Sequence, residues 1–201
     1  MKYFILAGHD KNGDPGAQAY DGTFEVDYTI ELRNLIVDKL TGKYFHTTNL
    51  IIEGTSAIMR DADSEKLWET INKVNQVSNG ATDFLLDIHF DWNPPQNPNA
   101  SGSKSYHAQV TSKENIRRAT ELSGLVAGIL GIPNQGAKSE TESYCKSLGI
   151  LSRTRPSALL IEVCYLTKKD LDNYRSKVDL VAEGIAEWIA NLSPASNKIS
   201  K

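Results

Sequence analysis

Ser157-Ala158-Leu159-Leu160-Ile161-Glu162-Val163 is an almost wholly apolar run with one carboxylate in it. Placed just after Pro156, it reads as a buried strand of a sheet covered on both faces. A carboxylate there is costly unless something charged faces it. Two other runs end in the same manner. Tyr3-Phe4-Ile5-Leu6-Ala7 leads into Gly8-His9, and Phe84-Leu85-Leu86-Asp87-Ile88 leads into His89. If the three strands run parallel, His9, His89 and Glu162 gather at one carboxyl edge, where open α/β sheets place their sites.

The segments between these runs carry helical periodicity. Thr23 offers an N-cap for a helix over residues 24–40, with Val26, Ile30, Val37 and Leu40 as its apolar stripe and Glu25 in its first turn. That first turn suits a carboxylate. Residues 44–52 include a strand. Asp63 or Ser64 caps a helix bearing Leu67, Ile71, Val74 and Val77. After the strand at 83–89, residues 93–102 form a proline-rich loop of the kind that often binds ligands. Ser103–Thr111 is a strand candidate. Ser112 caps a helix with Ile116, Ala119, Leu122, Val126 and Ile129 in register. Residues 131–150 read as irregular. Thr167 to Asp170 forms a capping-box variant before a last helix with Val178, Val181, Ile185, Trp188, Ile189 and Leu192.

Strands alternating with helices predict an α/β fold, a mostly parallel twisted sheet with helices on both faces, in one domain. Its bounds are set at 1–192, with 193–201 as a tail or linker stub. The net charge of −3 gives no support for nucleic-acid binding. No run of eighteen apolar residues exists to span a membrane. Met1-Lys2 leads straight into the first strand, so the expectation is a chain made in the cytoplasm without a secretory signal. Cys145 and Cys164 are expected to be reduced, the second one buried.

His9, Glu25 and His89 suggest a metal. Two imidazoles and a carboxylate form a common catalytic zinc set that leaves a fourth position for water. Glu162 would then be the general base that takes a proton from water and passes it to a leaving amine. From spacing alone the histidines fit a structural role as well.

The motifs add to this. Ala7-Gly8-His9-Asp10-Lys11-Asn12-Gly13-Asp14-Pro15-Gly16-Ala17 resembles the opening of the zinc-dependent N-acetylmuramoyl-L-alanine amidases of the type-3 family. Glu25 matches the family's ligand early in its first helix. His89, in Asp87-Ile88-His89, matches the ligand after an apolar strand. Glu162 matches the catalytic carboxylate in a strand that follows a proline, here Pro156. Cys164-Tyr165-Leu166-Thr167-Lys168-Lys169-Asp170 is similar to the segment after it. The resemblance implies one Zn²⁺ per chain, held by His9, Glu25 and His89. It also implies hydrolysis of the amide between N-acetylmuramic acid and L-alanine of peptidoglycan. A phage endolysin, acting on the wall after holin-mediated release, is the implied setting. The alternatives are a zinc peptidase acting on stem peptides and a non-catalytic wall-binding module.

Two departures stand out. The family's usual Asn is Asp91 here, and its frequent Ser is Asp87. One of these is expected to join the metal or to hold a ligand imidazole from behind, against the plainer reading of a hydrogen-bonded strand-end carboxylate. Trp92 is a candidate to stack on substrate, and Arg153 and Arg155 to meet substrate carboxylates. Glu140 and Glu142 read as a solvated loop, and His46 and His107 as packing or surface residues. Arg60 is the nearest candidate for the family's arginine.

Overall fold

The computed structural model describes residues 1–44, 66–92 and 95–192. Among these, five strands form one sheet: β1 (Tyr3–Ala7), β2 (Phe84–Asp91), β3 (Ser103–His107), β4 (Asn134–Ser139) and β5 (Ser157–Tyr165). Their spatial order is β1-β2-β5-β3-β4. The last strand in the chain therefore sits at the centre. β1, β2 and β5 are mutually parallel, as their continuous apolar runs predict. β3 runs antiparallel to β5, and β4 runs parallel to β3.

Among the described residues, five helices of differing length flank the sheet: α1 (Glu25–Thr41), α2 (Leu67–Val77), α3 (Lys113–Leu130), α4 (Gly149–Ser152) and α5 (Lys168–Ala190). Because side chains alternate along a strand, each strand feeds two cores. Ile5, Leu86, Ile88, Leu159 and Ile161 face the larger one, shared with α1, α3 and α5. Phe4, Leu6, Leu85, Ala158 and Leu160 face a smaller one, closed by Ile71 and Val74 of α2 and Ile150 and Leu151 of α4. The single α/β domain with helices on both faces agrees with the sequence reading.

Several local readings change. The N-cap residue of α1 is Phe24, not Thr23, and no side chain caps it. The buried face of α1 runs through Val26, Thr29, Leu32, Arg33, Ile36 and Leu40, a quarter-turn from the expected stripe, because α1 packs on both the sheet and α5. Ser112 does cap α3, its hydroxyl accepting from the Asn115 amide. The predicted capping box before α5 is something else. Asp170 is buried and accepts from Ser101 Oγ at 2.5 Å and Gly102 N at 2.9 Å, while Thr167 Oγ1 donates to Ala100 O. These bonds tie the end of the proline-rich loop to the start of α5. Residues 131–150 are not wholly irregular: they include β4, and Glu140 is buried, accepting from Gln109 N and Leu148 N. Apart from Tyr44, which is in a turn, the strand expected at 44–52 lies outside the described residues, as do the Asp63 or Ser64 cap, His46, Arg60 and the tail at 193–201.

Candidate active site

The parallel register brings the site together. β1 lies beside β2 with Ala7 opposite Ile88, and β2 lies beside β5 with His89 opposite Glu162. Gly8 N donates to Ile88 O, so pairing continues past β1 into the Gly8-His9 turn. His9 then takes a left-handed conformation, φ 67°, which is uncommon for a residue with a side chain and turns the chain sharply. Its ring meets the His89 ring edge-on, centroids 4.8 Å apart.

Glu25, the first residue of α1, is 3% exposed and lies between the two imidazoles. Its Oε2 is 3.0 Å from His9 Nε2 and its Oε1 is 3.1 Å from His89 Nδ1. The same oxygens accept from the amides of Ala17 and Phe90, each at 3.0 Å. Burial would raise the Glu25 pKa. Hydrogen bonds with His89 and His9 outweigh it and hold the carboxyl well below its usual range. The donor atoms of His9, Glu25 and His89 all lie within 4.8 Å of one another. Two glycines make this closeness feasible. A Cβ on Gly8 would lie 2.3 Å from the His89 ring, and one on Gly16, at φ +75°, would lie 2.7 Å from Glu25 Oε2.

Glu162 stands beside this cluster with Oε2 buried and, among the described residues, without a hydrogen-bond partner. Burial pushes its carboxyl up to about 8, reinforced by the charges of Asp91 and Glu25 and opposed by His89 and Lys104. Asp87 and His89 continue the β2 face that carries Leu85. Asp87 Oδ2 is 3.2 Å from His89 Nε2, and Asp14 Oδ1 is 3.1 Å from His9 Nδ1. Burial would lower the His89 pKa, but Asp87 and Glu25 overcome it and raise it.

Asp91 does not turn to an imidazole. It pairs with Lys104, whose Nζ also donates to Tyr165 Oη at 3.3 Å and lies 4.9 Å from the centre of the Tyr165 ring. Lys104 was not legible as a site residue. It reaches the carboxyl edge only because β3 is antiparallel, which sets its first residues opposite Glu162. The pair is mostly buried, so Lys104→Met should strand the Asp91 charge and lower stability by ~1–3 kcal/mol. Adding Asp91→Asn should restore most of that loss. Urea unfolding of both single variants and the double variant measures the coupling, and additive losses would show that the pair does not act as one.

Trp92 follows β2 at the same edge and is 53% exposed, a rim position rather than a core one. Arg153 and Arg155 are not brought to the site. They precede β5, at the opposite edge, where Arg155 N and Nη1 donate to Asn75. About seven residues of extended chain, ~20 Å, separate Arg155 from Glu162. His107 is buried, its Nδ1 bonded to Ala108 O, and Glu142 caps the Ser139 amide. Cys164 is buried and Cys145 exposed, both free thiols.

The family model described as N-acetylmuramoyl-L-alanine amidase matches residues 4–191. Among solved structures, the chain is similar to an N-acetylmuramoyl-L-alanine amidase from Clostridium difficile 630, at 18% identity and TM-score 0.71, covering 94% of each chain. It is similar to AmiC2 of Nostoc punctiforme at 17% identity and TM-score 0.73, again covering 94% of each. The catalytic domain of the CD27L endolysin targeting Clostridia difficile aligns at 20% identity and TM-score 0.69, covering 97% of this chain and 99% of that one. Sequence comparison with curated proteins returns no match. At these identities the structures establish the shared fold, and the family model establishes the kinship: the chain belongs to the N-acetylmuramoyl-L-alanine amidase family.

Proposed function

We propose that this chain hydrolyses the amide bond between N-acetylmuramic acid and L-alanine of peptidoglycan, with one Zn²⁺ held by His9, Glu25 and His89. The observation that carries the reading is the convergence of those three donor atoms within 4.8 Å, beside a carboxylate with an unpartnered buried oxygen. The residues fit zinc in kind: two imidazoles and a carboxylate are its usual catalytic ligands. Glycines at 8 and 16 leave no side chain where the ligands crowd. Bound there, zinc would supply a Lewis acid that polarises the scissile carbonyl and acidifies water.

The chain's own residues account for the rest. Positive charge beside Glu162, from His89 and Lys104 here and from a cation on the ligands, favours the ionised form that can accept a proton. Glu162 takes that proton from the attacking water and returns it to the nitrogen of the leaving L-alanine, which leaves poorly as an anion. Glu25, fixed by the Ala17 and Phe90 amides, holds its side of the cluster still while this occurs. Trp92 offers an exposed aromatic face at the rim for a sugar ring or stem peptide.

An endolysin setting is part of the proposal. What supports it is that nearly the whole chain aligns with nearly the whole of an endolysin's catalytic domain. Among the described residues no helix is long and apolar enough to cross a membrane.

Digestion of purified peptidoglycan with mass spectrometry of the products tests the chemistry. Intact stem peptides with a free N-terminal alanine are expected. Cuts within the stem would mark a peptidase, and binding without products would mark a wall-binding module. Clearing of wall suspensions by protein added from outside is the matching result for an endolysin, and failure to clear susceptible walls would count against it.

A further inference from the structure

We infer that Asp87 decides which nitrogen of His89 faces the metal, by accepting the Nε2 proton and leaving Nδ1 bare on the Glu25 side. The inference rests on the metal reading of the cluster and adds a positioning residue to it. His89 has a carboxylate at each nitrogen: Glu25 Oε1 at 3.1 Å from Nδ1, and Asp87 Oδ2 at 3.2 Å from Nε2. A neutral imidazole carries one proton, so one of its nitrogens must be the acceptor or ligand. The ring cannot resolve the choice by moving aside. Its face lies so close over Gly8 that a Cβ there would sit 2.3 Å from Cε1 and Nε2, and the His9 ring stands edge-on to it at 4.8 Å between centroids.

Nδ1 is the nitrogen that meets Glu25, so a cation shared with Glu25 would meet that atom. Asp87 meets the other nitrogen and is not among the donors that converge within 4.8 Å. Its remaining role is to hold the proton on Nε2, the pattern by which a carboxylate behind a ligating histidine fixes ring and tautomer. Two further facts favour it. Asp87 is 4% exposed, and its Oδ1 has no hydrogen-bond partner among the described residues, so the imidazole is the one described group its carboxylate meets. Asp91, the other carboxylate on this strand end, is occupied by Lys104.

The test is zinc affinity by chelator competition, run beside long-range proton–nitrogen NMR of histidine-labelled protein. Wild-type protein loaded with zinc should show His89 protonated at Nε2 and metal-bound at Nδ1. Asp87→Asn keeps an acceptor oxygen and should keep that pattern with a loss of affinity of a few-fold. Asp87→Leu removes the acceptor, and affinity should fall by ~10–100-fold with circular dichroism unchanged. The Nε2 proton of metal-free protein should also exchange slowly in wild type and in Asp87→Asn, a readout that a general packing defect would not select. Zinc uptake with Nε2 as the bound atom, or unchanged affinity in a folded Asp87→Leu protein, overturns this inference alone. If Asp87→Leu fails to fold, loss of the Nε2-protonated pattern in Asp87→Asn does the same. A wild-type protein that takes up no zinc overturns the metal reading and this inference with it.

Discussion

Glu162→Gln should keep the fold and the zinc and lose turnover by at least ~10²–10⁴-fold, the usual contribution of a general acid–base group. The substitution preserves shape. It removes a carboxyl that is buried near two other carboxylates, Asp91 and Glu25, so stability should hold or rise slightly. What it removes besides charge is the ability to accept a proton at the unpartnered Oε2. Because the defect lies in proton transfer, the rate constant should fall while the Michaelis constant changes little. Steady-state kinetics on soluble wall fragments, beside a melting curve and a metal assay, measure all three quantities. Near-normal turnover would remove Glu162 from the mechanism.

His9→Ala and His89→Ala should each abolish stable zinc binding. Wild-type protein is expected to hold about one equivalent, as a three-ligand site does. Removing one ligand should cost more than the ~10–100-fold lost when only a ligand's supporting partner is removed. The two variants probe different strands, β1 and β2, so shared loss locates the metal between them. Added zinc should also raise the melting temperature of wild type. At a thousandfold excess over the dissociation constant, the gain is about 4 kcal/mol. Both variants should lack that rise while folding normally without metal. Full metal retention in both would place the ion elsewhere.

What the sequence discloses follows from how each strand is buried. β1, β2 and β5 are covered on both faces, so their apolar runs are plain and the residues that end them point to the site. β4, Asn134–Ser139, is an edge strand with partly exposed side chains and no apolar run, and so leaves no pattern to find. The direction of β3 is not visible in its own residues either. It is a consequence of the loop before it, whose described residues contain no crossover helix. Lys104 stayed hidden for that reason, and with it the true partner of Asp91. Arg153 and Arg155 misled in the opposite way. They lie close to Glu162 along the chain, but an extended strand carries them to the far edge. Asp170 misled because a carboxylate three residues after a threonine resembles a local cap, and its long-range bonds to Ser101 and Gly102 are invisible in spacing.

The central place of β5 also governs how the molecule is made. Synthesis delivers β1 and β2 early and β3 and β4 next, but among the described strands none joins these two halves until residues 157–165 arrive. Until then each half presents a long unpaired edge to its surroundings, the condition under which nascent sheets pair with other chains. Closing the sheet requires contacts between distant parts of the sequence, a slow step by its topology. The strand that completes the sheet is also the one that carries Glu162. A chain interrupted before this strand therefore has neither a continuous sheet nor its proposed base, and both arrive late, with only the helix α5 still to follow among the described residues.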